Sequence, residues 1–137
     1  MNSFEQDLIL ECRKLAIHCL EQYGEFYPFA YGIVEADRTL VTIEPNLDSE
    51  HPSSSEVINN LVESFNTLNK EHHFLAVCIC ADVKVKENNT VQDAIEIRLD
   101  TKEGVTVNVY LNYTIENSSV TTTDAYETAG SFCFFEH

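Results

Sequence analysis

From Phe4 to Tyr23 the apolar residues Phe4, Leu8, Cys12, Leu15, Cys19 and Tyr23 recur at steps of three and four. That period predicts an amphipathic helix with one buried stripe. Ser3 and Gln6 stand at capping-box spacing, and Gly24 follows where a left-handed residue ends a helix. Phe29–Glu35 and Thr39–Glu44 then read as short strands, joined through Ala36-Asp37-Arg38 in a hairpin. The polar stretch Pro45–Pro52, with a proline at each end, reads as a loop. Ser53 and Glu56 form a second capping box, and Ile58, Leu61, Val62, Phe65 and Leu68 form a second stripe, predicting a helix over 53–69.

After Lys70 the period becomes two. Leu75, Val77, Ile79, Ala81, Val83 and Val85 alternate with Phe74, Ala76, Cys78, Cys80 and Asp82. The first half of this strand is apolar at nearly every position, as expected of a central strand covered on both sides. Glu87-Asn88-Asn89-Thr90 reads as a turn. Ile95, Ile97 and Leu99 alternate with Glu96, Arg98 and Asp100, and Val105, Val107, Val109 and Leu111 alternate with Thr106, Asn108, Tyr110 and Asn112. These are half-buried strands, with Lys102-Glu103-Gly104 as the tight turn between them. Thr121–Ala125 is expected to add an edge strand. Phe132-Cys133-Phe134-Phe135 is a greasy end that must dock or mediate contact.

The order αββαβββ predicts an α+β fold. The expected architecture is a two-layer sandwich, an antiparallel sheet of about five to six strands with two helices on one face. At 137 residues, 44% of them hydrophobic, the chain supports one core and a single domain over 1–137.

Charge changes the picture. Twenty-three acidic residues against eight basic ones give a net charge of -15. Such a field repels nucleic-acid phosphates and anionic lipid, and attracts basic partners. Nucleic-acid and membrane partners are therefore not expected. Met1–Asp7 lacks a basic leader region and no apolar run is long enough to cross a bilayer. Five cysteines (Cys12, Cys19, Cys78, Cys80, Cys133) are an odd number without framework spacing, which fits reduced thiols in a cytoplasm.

Candidate chemistry is sparse. Cys78-x-Cys80, with His72 and His73 upstream, invites a metal, but a structural zinc site needs four ligands and no second pair exists. Cysteines at such positions are expected to act as small buried hydrophobes. A Cys133–His nucleophile lacks the electropositive setting that lowers a thiol pKa. Glu11, Glu21, Glu25, Glu44, Asp48, Glu50, Asp93, Glu96 and Asp100 offer many carboxylate pairs, which read as a solvated face. Glycines at 24, 32, 104 and 130 form no phosphate-cradling motif. No catalytic, cofactor-binding or metal residue is assigned, and no cofactor is expected.

The string Gly24-Glu25-Phe26-Tyr27-Pro28-Phe29-Ala30-Tyr31-Gly32 reads as a helix-to-strand corner. It resembles the G-x-F-x-P-F-A element of a family of small uncharacterised bacterial proteins. The likeness extends to His51-Pro52-Ser53 and to Thr90-Val91-Gln92-Asp93-Ala94-Ile95. The resemblance implies an α+β fold and a bacterial cytosolic protein, and brings no activity with it.

Three functions are expected to compete. The first is a non-enzymatic acidic protein, immunity-like or accessory, that masks a basic protein partner. The second is a small-ligand binder or enzyme with a pocket between sheet and helices, for which His72, His73, Tyr110 and Asp82 are the first suspects. The third is a homo-oligomeric structural module, a homodimer paired through an edge strand or the Phe132–Phe135 end.

Overall fold

The computed structural model describes residues 3–43, 52–130 and 134–135. Its elements are α1 (Ser3–Tyr23), β1 (Phe29–Val34), β2 (Leu40–Ile43), α2 (Ser54–His72), β3 (Phe74–Glu87), β4 (Thr90–Thr101), β5 (Thr106–Glu116), β6 (Ser119–Thr122) and β7 (Tyr126–Ala129). The fold is α+β with an open antiparallel sheet, as the periodicities predict. The expected loop Pro45–Pro52 lies outside the described residues, except for a buried Pro52; so do Glu44, Asp48, Glu50, His51, Phe132 and Cys133.

The sheet runs β2-β1-β3-β4-β5-β6, with β7 also on β5. β6 pairs the end of β5 (Ile115 with Val120) and β7 its start (Val109 with Glu127). Both lie along the same antiparallel edge, so they act as one edge ribbon broken at 123–125, where the register slips by a residue. Such breaks twist an edge away from further pairing. The edge strand expected at Thr121–Ala125 is thus displaced: Thr121 and Thr122 belong to β6, and Ala125 lies in the break.

Local chemistry explains the joints. Ser53 Oγ accepts from Glu56 N at 3.2 Å and caps α2. Asn88 and Asn89 both take positive φ (49° and 65°), the conformation of a type I′ hairpin turn, and this sets the β3–β4 register from Glu87–Thr90 onward. Asn117 and Ser118 do the same between β5 and β6. Gly104, at φ 106°, closes the β4–β5 turn.

The two helices lie on opposite faces of the sheet, which corrects the expected one-sided sandwich. Phe4, Leu8, Cys12, Ala16 and Leu20 of α1 pack on Tyr31, Ile33, Cys78, Cys80, Ile95, Ile97, Leu99, Val109 and Leu111. Val57, Leu61 and Phe65 of α2 pack on Ala30, Ile43, Phe74, Val77 and Ile79. Successive strand residues point to opposite faces, so Cys78 meets one helix and Val77 and Ile79 the other. The physical reason is already present in β3: a run buried on both sides needs a cover on each.

Candidate functional site

The buried row of α1 advances by strict fours from Phe4 through Leu8, Cys12, Ala16 and Leu20. Each such step turns the row about 40° around the helix. The expected stripe through Leu15, Cys19 and Tyr23 therefore rotates away from the core towards the helix end, with Leu15 still packed against it. Tyr23 is 76% exposed, and Leu15 and Cys19 are half-buried. These three line a groove instead.

The Gly24–Phe29 corner supplies the opposite wall. Gly24, at φ 78°, donates its N–H to Leu20 O at 2.8 Å and ends the helix. Pro28 is buried, and Phe26 and Phe29 pack on the α1-side core while flanking each other at 5.5 Å. Phe29 meets Tyr31 edge-on at 5.9 Å. Tyr27 is left 55% exposed. Between these walls lies an open cavity of about 630 Å³, lined chiefly by Tyr23, Phe26, Tyr27, Phe29 and the carboxylates Glu25 and Asp82. The corner is thus structural, as expected, and also one side of the groove.

Asp82 projects from β3 on the same face as Cys78 and Cys80. Tyr113 donates its hydroxyl to Asp82 Oδ1 at 2.6 Å. Partial burial is the main cause that raises the Asp82 carboxyl above the usual aspartate range; the Tyr113 hydrogen bond opposes this, and the neighbouring Asp93 and Glu25 charges add to it. Burial, followed by the bond to Asp82, holds the Tyr113 phenol firmly protonated. Lys84, next on this face, is held by Asp93 at 2.6 Å.

The sequence suspects are not brought together. Asp82 faces α1, whereas Tyr110 lies on the other face, stacked on Tyr126 at 5.4 Å and donating to Glu96 Oε2 at 2.8 Å. His72 and His73 are exposed at the far end of α2. Cys78 and Cys80 are sealed in the core, with Cys78 Sγ 3.3 Å from Cys12 Sγ. Burial pushes the Cys12 and Cys80 thiols up; at Cys78 the hydrogen bond to Cys12 leads and burial follows. These thiols are packed hydrophobes rather than nucleophiles. Among the described residues no cluster of His, Cys, Asp or Glu is arranged to hold a metal ion.

Two carboxylates depart from the solvated face expected of them. Glu96 is buried and binds Arg98 Nε at 2.6 Å as well as Tyr110. Asp100, fully buried, accepts from Thr106 Oγ1 at 2.6 Å and from the backbone N–H groups of Phe134 and Phe135, each at 2.8 Å. Phe134 and Phe135 are therefore docked, with Phe134 5.6 Å from Phe65. The only sequence signal for these roles was position: both acids sit on a strand whose neighbour is apolar on both faces.

Compared with known proteins, the chain matches no family model, and neither a curated protein nor a solved structure is found similar to it.

Proposed function

We propose that this chain is a non-enzymatic binding protein, immunity-like or accessory, that captures and masks a basic protein partner in a bacterial cytoplasm. The observation that carries this reading is the pairing of a net charge of -15 with an open aromatic groove whose charged lining is Glu25 and Asp82. A negative field speeds encounter with a basic surface, and buried rings at the centre of contact then slow its release. The same field disfavours nucleic acid and anionic lipid. Among the described residues no helix is long and apolar enough to cross a membrane. Cys12, Cys19, Cys78 and Cys80 carry free thiols, which suits a reducing compartment.

The test is kinetic. Immobilised protein is used to capture partners from the native lysate at low salt, and association of each purified basic partner is followed across ionic strength. The expected result is an association rate that falls steeply with salt while dissociation changes little. Salt-independent association, or partners that are uniformly acidic, overturns the proposal.

A second reading has one observation in its favour. The groove volume lies within the range of roughly 300–1,000 Å³ typical of small-molecule sites. Its lining joins Leu15, Cys19 and Tyr23 of α1 and Ser54 of α2 to Phe29 and Asp82 of the sheet.

A further inference from the structure

Four aromatic residues and two carboxylates converge at the end of α1. Tyr23, Phe26, Tyr27 and Phe29 present ring surface, and Glu25 and Asp82 supply negative charge from the corner and from β3. We propose that this groove is a receptor for a guanidinium group, the arginine side chain of a basic partner. The proposal rests on the basic-partner reading above and names the chemical group at its centre.

Ring faces carry partial negative charge and attract cations, most strongly where water is displaced. A guanidinium suits a wall of rings better than an ammonium, because it is flat, weakly hydrated and able to stack. Its donor fork also matches a carboxylate. Tyr113 holds Oδ1 of Asp82 at 2.6 Å, so the acid is oriented before any ligand arrives. Lys84, on the same face, is engaged with Asp93, so its charge acts on Asp82 only at a distance. Ser54 places the start of α2 at the rim. The roughly half-unit positive charge of a helix start opposes a cation, whereas the two carboxyl groups of Glu25 and Asp82 favour one.

The test uses N-acetyl-arginine-amide, its lysine counterpart, and the neutral isostere N-acetyl-citrulline-amide, each titrated into the full chain and followed by backbone amide NMR. The arginine compound is expected to shift the amides of residues 23–27 and 82. Citrulline should bind roughly tenfold more weakly, with lysine between them. Asp82→Asn and Tyr27→Leu should each weaken arginine binding several-fold while the rest of the spectrum is retained; Tyr27 is exposed, so its replacement spares the core. Equal binding of citrulline, or shifts scattered over the acidic surface, overturns the receptor.

A histone titration in the same buffers separates the two proposals. Histone binding that is steeply salt-dependent but indifferent to Asp82→Asn and Tyr27→Leu leaves the basic-partner reading standing and removes the receptor. Arginine-amide binding in the groove, without capture of any basic protein, does the reverse.

Discussion

The two faces of the sheet solve the same problem by different means. On the α1 side, apolar residues run without interruption from β1 through β5, and one helix seals them. On the α2 side, apolar cover stops at β3, and β4 and β5 present Glu96, Arg98, Asp100, Asn108 and Tyr110. Glu96, Asp100 and Asn108 are nonetheless buried. One face is closed by volume, the other by hydrogen bonds plus the docked Phe134 and Phe135. A buried carboxylate is tolerated only where donors converge on it, and the donors at Asp100 come from β5 and from the end of the chain. The lesson is that α2 is short of apolar partners, so the few it has carry more of its attachment.

The strongest way to break this comparison is Phe65→Ala. Phe65 is fully buried, meets Phe74 edge-on at 5.6 Å and Phe134 at the same distance. Truncation should cost about 3–5 kcal/mol in urea unfolding and expose α2 to hydrogen exchange before α1. A loss below about 1 kcal/mol, or exchange spread evenly over both helices, denies that α2 hangs on few contacts.

Next in size is Asp100→Ala, which strands the Thr106 hydroxyl and the N–H groups of Phe134 and Phe135. Its expected cost is about 2–3 kcal/mol, with faster amide exchange at residues 134 and 135. Unchanged exchange there shows that Phe134 and Phe135 are held by their rings alone.

Gly32→Ala probes the α2 side from within the sheet. An added Cβ stands 2.7 Å from Cε1 of Phe74, so the ring must move. A loss of about 1–3 kcal/mol is expected, read as a lowered thermal midpoint. A neutral outcome means that the Phe74 ring has room that the packing does not suggest.

Asp82→Asn sharpens the comparison from the α1 side with the smallest effect. Because burial raises the Asp82 carboxyl, its protonated form is favoured by the fold. That contribution is complete below the usual aspartate range and is lost as pH rises through the elevated value. Glu25, Asp93, Lys84 and Tyr113 face the same group from the corner, β4, β3 and β5. At neutral pH the substitution should therefore be stabilising by ~0.5 kcal/mol or less, since solvent screens a half-exposed acid. Arginine-amide binding to the unaltered chain should rise with pH over the window just above the usual aspartate range. Binding that falls with rising pH assigns no role to the ionised carboxylate.

Local order was readable because its causes are local. The Ser53–Glu56 cap, the Asn88-Asn89 turn and the alternation of β4 and β5 each depend on residues within a few positions of one another. Even the double cover of β3 was written in its unbroken apolar run. Three features needed the third dimension. The placement of one helix on each face follows from how α2 crosses from β2 to β3, and either stripe reads the same whichever face it meets. The groove exists because the buried row of α1 advances by fours and leaves Leu15, Cys19 and Tyr23 along its lining, although spacing alone assigned all three to the buried stripe. The Asp100 clasp joins residues 34 and 35 positions apart. Periodicity reports which residues avoid water; only the folded chain decides what they meet, because burial and hydrogen bonding act through space and take no account of distance along the chain.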